Sequence, residues 1–236
     1  MRSTWRTLDT ALRRDIALVC LADGLVGVSY GALAVGLGFA PWVPVLMSVV
    51  VLAGASEFLF VGIVAAGGGL LAALAGGLLV NARHLPFGLA VGDVTGRGWR
   101  RLVGSHLLND ESTVFALAQS DPVRRRAAYW LCAIGIGLCW PLGALIGATA
   151  GSFIDDVNAF GLDAMFPTVL LALVFPALRD RTTATVAVLG AVIAVAATPF
   201  LPAGIPVLLA PAALVALIWM KPRSPAAEKS GEAATA

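Results

Sequence analysis

Charge is what this sequence has least of. Asp, Glu, Lys and Arg make up 13% of its 236 residues, against 59% hydrophobic residues, whereas a soluble domain carries about 25% charged and roughly 45–50% apolar residues. With a mean hydropathy of +0.89, the chain is excluded from the soluble globular class and belongs in a bilayer. Cysteine is equally sparse. Cys20, Cys132 and Cys139 are odd in number, lie in apolar segments and lack metal-ligand spacing, which excludes a disulfide framework and a zinc site and leaves core packing as their role. Strand-length alternation of apolar and polar residues is missing too, so a transmembrane barrel is excluded. The closing stretch "PRSPAAEKSGEAATA" carries no enzymatic or nucleic-acid motif; no cofactor, metal or nucleic-acid partner is expected.

What is present is a series of long apolar runs, which makes the expected fold an all-α integral membrane protein, a polytopic helical bundle. Six runs have the roughly 17–25 residues a spanning helix needs: Ile16 to Gly38, Val43 to Ala66, Ala127 to Ala150, Phe160 to Leu178, Thr183 to Leu201 and Ala203 to Trp219. Two more, Leu70 to Gly92 and Leu102 to Ser120, are long enough but have polar centres. The organisation read from these runs is a basic N-terminus over 1–15, one transmembrane domain over 16–219 and a disordered tail over 220–236. The N-terminal apolar stretch outruns a signal-peptide core and shows no small-residue cleavage site, so it is read as a retained span. Arg2, Arg6, Arg13, Arg14, Arg124 to Arg126, Arg179, Arg181, Lys221 and Arg223 mark one side. The positive-inside rule makes that side, with both termini, cytoplasmic. Counting all eight runs as crossings satisfies this except that Arg97, Arg100 and Arg101 fall outside. Reading the two polar runs as re-entrant gives six crossings and returns those arginines to the inside. The expectation is eight. In Leu70 to Gly92, Pro86 disfavours helical geometry at Leu85, where a break or kink is expected.

Ionisable residues inside the runs are the candidates for chemistry: Asp23, Glu57, Arg83, His84, His106, Asp110, Glu111 and Asp163. A charge facing lipid at mid-depth costs at least ~2.5–3.5 kcal/mol, so such groups should face each other, water or a ligand. Bland readings stand beside the functional ones. Asp23 is equally a pair within the bundle, Asp163 a solvated interfacial acid, His106 an interfacial residue and "NDE" an ordinary polar helix turn. Glu57 is either an inert neutral carboxyl or a proton carrier. Ser56 beside Glu57, with His84 or His106 elsewhere, also admits an intramembrane serine hydrolase, although Glu-Phe follows Ser56 where such enzymes have glycine. Gly143, Gly147 and Gly151, at four-residue spacing, give one helix a stripe for close packing, echoed by Gly27 and Gly31.

The segments "AGASEFLFVGIVAAGGG", "NARHLPFGLAVG", "NDES" and "FGLDAMFPTVLLALVFPALRDR" occur in an order that resembles the AzlC family, the large subunits of two-component bacterial branched-chain amino acid exporters. The resemblance runs from about Asp23 to Arg181. Family members commonly show GASQF, NxRHxLY and TDE. Here Glu57 stands where Gln is common, Pro86-Phe87 where Leu-Tyr is common, and Asn109 in place of Thr. The resemblance implies a helical permease of the bacterial inner membrane, not an enzyme, working with a small AzlD-type membrane subunit.

A zwitterionic amino acid needs fixed charge for both ends and an apolar wall. Arg83 can hold a carboxylate through two parallel bonds, with Asn81, Ser56, Asn109 and Asp110 as the remaining expected substrate contacts. Glu57, His84, Glu111 and Asp163 are the expected proton-coupling groups, His84 because imidazole titrates near neutrality. A non-transporting channel or assembly component remains the alternative from another class.

Overall fold

Asp9 starts the first helix. Its carboxylate accepts the Leu12 amide at 2.8 Å, an N-cap that satisfies one of the amides left unpaired at a helix start, and helix α1 then runs through Thr10–Gly36. That bond, followed by Arg124, holds the Asp9 carboxyl below its usual range. The computed structural model describes residues 7–153 and 177–214, together with Thr168, Leu171 and Phe175. Asp121 caps α8 (Pro122–Gly151) in the same way, with Pro122 at its first position, where a missing amide hydrogen costs nothing. Arg124 Nη2 meets Asp9 Oδ2 at 2.7 Å, so the two helices begin together.

They also run parallel, through the small residues the sequence places on each. Gly24 faces Cys139, Gly31 lies on the backbone of Ala144 and Ala148, and Gly151 faces Ala32. Gly143 abuts the Gly24 carbonyl and Gly147 the Val28 carbonyl. The Gly143, Gly147 and Gly151 stripe is therefore a close-packing seam as expected, and its partner is α1 of the same chain. Tyr30, Leu33, Cys20, Cys132 and Trp140 fill the core beside it.

Between these parallel helices the chain makes two hairpins from opposite ends. Helix α2 (Trp42–Val50) starts beside Ala148 and Thr149 and descends until Leu52 reaches Gly137, halfway along α8. There the backbone breaks, with Leu52 at φ 50°, and α3 (Gly54–Ala65) returns towards the end it came from. Helix α4 (Leu70–Asn81) packs antiparallel on α3, Gly76 against Leu59 and Ile63, Gly77 near Ser56. Helix α5 (His84–Ala90) continues it to the other end, where Arg125 donates to the Ala90 carbonyl and pairs with Asp93 at 3.4 Å. Helix α6 (Trp99–His106) rises from that end, with Trp99 and Arg100 beside Arg126 and Trp130, and brings Leu107 to Gly137. Helix α7 (Asp110–Leu117) then goes back down to Gln119, which accepts from Arg124.

The described residues are helical without strands. Among them three helices are long and apolar enough to cross a membrane, Thr10–Gly36, Leu70–Ala90 and Pro122–Gly151, beside shorter apolar helices; this agrees with a helical membrane protein and does not by itself fix the number of spans. Val43 to Ala66 and Leu102 to Ser120 each turn back beside Gly137, halfway along α8, where polar side chains bond their own backbone at the tip. The kink in Leu70–Ala90 comes at Ala82 and Arg83 rather than Leu85. Pro86 occupies the first turn of α5, where it needs no amide partner, and its ring conflicts with the carbonyl four residues back, that of Ala82. The backbone tightens there through Ala82 to Leu79 and Leu85 to Ala82 bonds. Of the expected later spans, Thr183 to Leu201 contains most of α9 (Arg181–Ala197), a helix shorter than the three above, and Ala203 to Trp219 contains a short helix, Ile205–Leu209, with 215–219 outside the described residues. Most of Phe160 to Leu178, including Asp163, and the tail 220–236 lie outside the described residues.

Candidate functional site

The tip of the first hairpin is built by residues that bond backwards. Ser56 Oγ donates to the Ala53 carbonyl at 2.9 Å, and Glu57 Oε1 accepts the Ala53 amide at 2.9 Å. Side chains of this kind offer the backbone an alternative to the helical ladder, which is how they start a helix afresh. The same Glu57 oxygen accepts the Trp140 indole of α8 at 3.1 Å, while Trp140 stacks on Tyr30 at 5.6 Å and its ring lies against Gly54. Glu57 is fully buried. Its function in the fold is to fix the tip to α8. Removing both acceptor bonds with Glu57→Leu leaves two buried donors unpaired, at about 1–3 kcal/mol each, and should lower the melting temperature sharply. Glu57→Gln keeps an acceptor oxygen in place and should melt close to the parent.

The second tip repeats the device with other residues. Asn109 Oδ1 accepts the Ser112 amide at 2.8 Å and the Ser112 hydroxyl accepts the Asn109 amide at 3.2 Å, a reciprocal cap. Thr113 Oγ1 donates to the Asn109 carbonyl at 2.8 Å. The two tips are tied together by His106, whose Nε2 lies 2.9 Å from the Val49 carbonyl near the end of α2. Between them sits the α4–α5 kink. His84 Nδ1 is 3.1 Å from the Asn81 carbonyl that the kink frees, and Arg83 Nη2 meets Asp110 Oδ2 at 2.9 Å. Arg83 Nε and Asn81 Oδ1 are buried without a hydrogen-bond partner.

These three breaks enclose a cavity of about 270 Å³. Its polar wall is Asp23 of α1, Arg83, His84, Asn109, Asp110 and Glu111; its apolar wall is Val26, Leu52, Phe58, Ile136 and Trp140. Gly54 and Ala55, and likewise Asp110 and Glu111, open half-helices there. The positive ends of two helix dipoles thus face the same space. One fixed cation, three acids, an imidazole and an aromatic-aliphatic wall suit a small molecule bearing both charges and an apolar side chain.

Of the residues singled out from the sequence, Arg83, His84, Asn109, Asp110 and Glu111 line the cavity together, with Asp23. Ser56, Glu57 and Asn81 stand behind it as supports for the tip and the kink. Arg83 meets the cavity already paired, not as an open fork. His106 is exposed and lies outside the cavity lining, with its Nε2 on the Val49 carbonyl. Ser56 donates to a carbonyl, and neither His84 nor His106 bonds to it, so a serine-imidazole nucleophile is not assembled. Sequence reasoning missed Trp140, Phe58 and Ile136. A single large aromatic in "GLCWPLGALIG" was the available signal for Trp140, since small residues otherwise fill that helix.

Residues 18–154 match the family model described as AzlC protein, which is more than half the chain. The chain is 30% identical over 153 residues to the branched-chain amino acid transport protein AzlC of Bacillus subtilis, covering 64% of this chain and 59% of that relative. It is 31% identical over 165 residues to the inner membrane protein YgaZ of Escherichia coli, covering 62% and 65% respectively. A membrane protein of Helicobacter pylori is 28% identical over 176 residues, 72% of this chain and 76% of that one. The chain thus spans less than two thirds of the length of the Bacillus and Escherichia relatives. No solved structure matches it.

Proposed function

Because the chain belongs to the AzlC family, we propose that it is a membrane transporter that exports branched-chain or similar apolar amino acids through the cavity between its two hairpin tips. The observation that carries this reading is the placement of the Arg83–Asp110 pair opposite Phe58, Ile136 and Trp140, at the depth where hairpins from the two ends meet. In the proposed complex the substrate carboxylate takes the Arg83 guanidinium and the dipole end of α3. Its ammonium group takes Asp110, Glu111 or Asp23, and its side chain lies on the apolar wall. Without substrate, Asp110 stands in for the carboxylate and keeps Arg83 from being a lone charge. Helices broken at mid-depth and hairpins of opposed orientation are the arrangement by which secondary transporters alternate access.

The arginines orient the reading. Arg100 lies beside Arg126, so Arg97, Arg100 and Arg101 share the α8 N-terminal end with Arg124 to Arg126, which supports, by the positive-inside rule, the reading that this end and both termini are cytoplasmic. His84 and Glu111, both in the cavity wall, are the proposed proton-coupling groups, and the sequence expectation for Asp163 stands beside them. Glu57 is bound into the tip, so Glu57→Gln should retain transport and change at most its pH dependence. The small AzlD-like subunit remains part of the proposal. Its docking face is not the glycine stripe, which α1 occupies.

The direct test is counterflow of labelled leucine, valine or methionine in vesicles containing this chain with and without an AzlD-like subunit. Saturable exchange with the subunit and weak exchange without it are expected. Absence of exchange of any of the three under both conditions, with protein correctly inserted, would count against the transporter.

A further inference from the structure

A second cavity, of about 430 Å³, lies on the outer surface of the bundle between α6 and α8, lined by Trp99, Arg100, Val103, Arg126, Ala127, Trp130 and Ile134. It is separate from the central one. Its mouth is cationic: a methyl group placed on Gly96 would touch both Arg100 Cβ at 3.2 Å and Arg126 Nη2 at 3.7 Å, so the two side chains flank one point. Among the described residues neither arginine forms an ion pair, and no acid lines the cavity. The neighbouring Arg124 and Arg125 are, by contrast, paired with Asp9 and Asp93.

Behind the mouth the lining turns apolar in one direction. Both helices start at this end, so Val103 lies one turn deeper than Trp99 on α6, and Trp130 and Ile134 successively deeper than Arg126 on α8. The two indoles stand at the mouth's level and just below it. Arg100 lies over the Trp99 ring at 5.7 Å, and Trp130 Nε1 is fixed by the Val94 carbonyl at 3.0 Å. Tryptophan with arginine at the end of a membrane helix is the composition of the headgroup layer, and, resting on the orientation proposed above, a basic pocket between helices at the cytoplasmic end suits an anionic lipid headgroup.

The geometry points to a binding site for an anionic phospholipid, its phosphate held between Arg100 and Arg126 and one acyl chain laid along Val103, Ala127 and Ile134. Free phosphate would use only the mouth; the lipid uses mouth and groove, and the apolar continuation favours the lipid.

The test titrates the full chain in detergent with phosphatidylglycerol or phosphatidylcholine of identical acyl chains, read by native mass spectrometry and by tryptophan quenching with brominated-chain forms. Phosphatidylglycerol should bind about tenfold more tightly, and Arg100→Ala with Arg126→Ala should remove that preference. Arg100→Lys with Arg126→Lys should retain most of it, which guards against a folding artefact of the alanine pair. Ile134→Phe, which keeps both charges and narrows the groove, should weaken binding and quenching. Equal affinity for the two lipids, an alanine pair that binds like the parent, or displacement of the lipid by millimolar inorganic phosphate would each overturn the assignment.

Discussion

Arg83→Lys should reduce amino acid exchange by tenfold or more in protein that inserts and folds at normal abundance. A lysine can still reach Asp110 as a point charge, yet it cannot offer two parallel donors to a carboxylate. Charge-assisted hydrogen bonds are worth about 1.5–3 kcal/mol, and about 1.4 kcal/mol is a factor of ten. Asp110→Asn separates the two parts of the argument. It keeps the shape of the pair at 2.9 Å while removing the charge that balances Arg83, so substrate carboxylate should bind more readily and release more slowly. Exchange rates for the two variants, measured in the same vesicles, check this. Parent-like exchange by Arg83→Lys would remove the guanidinium from the substrate site.

The second large effect is expected at the α1–α8 seam. A side-chain carbon at Gly147 would fall on the Val28 carbonyl, one at Gly143 on the Gly24 carbonyl and one at Gly31 on the Ala144 carbonyl, all backbone atoms that cannot rotate aside. Gly147→Val should therefore force the helices apart, and with them the wall on which both hairpin tips rest. Monodisperse protein after detergent extraction should largely disappear. Gly69→Ala is the matched control, because open space surrounds that position. Equal recovery of the two variants in size-exclusion chromatography would show that the seam is looser than its geometry implies.

Much of the site was readable because charges in apolar runs need partners. Arg83, His84, Asp110 and Glu111 stand out on that ground alone, and the fold gathers them into one wall. The proline two residues after His84 announced a kink, misplaced by less than a turn. The hairpin at Leu52 was not readable as a break. "VVVLAGASEFLF" contains no proline and reads as one continuous span; its interruption depends on Ser56 and Glu57 bonding back to Ala53 and on Trp140 from a distant helix. The second hairpin carried a clue of another kind. Arg97, Arg100 and Arg101 sit on the wrong side if Leu102 to Ser120 crosses, and Arg100 lies beside Arg126 at the α8 N-terminal end, the placement that the charge rule favours over the length of the apolar run.

The parallel pairing of α1 and α8 also separates two partners along the chain. Helix α1 is synthesised before both hairpins and meets the partner of its glycine face only after them, since the Cys20 thiol finds the Cys132 carbonyl 112 residues later. Contacts so distant along the chain form late, after the local ones. A nascent chain halted before Pro122 therefore carries Arg83 and Asp110 into the bilayer without Ile136 and Trp140, the surface that gives them a cavity, and leaves the arginine's neighbourhood open to lipid.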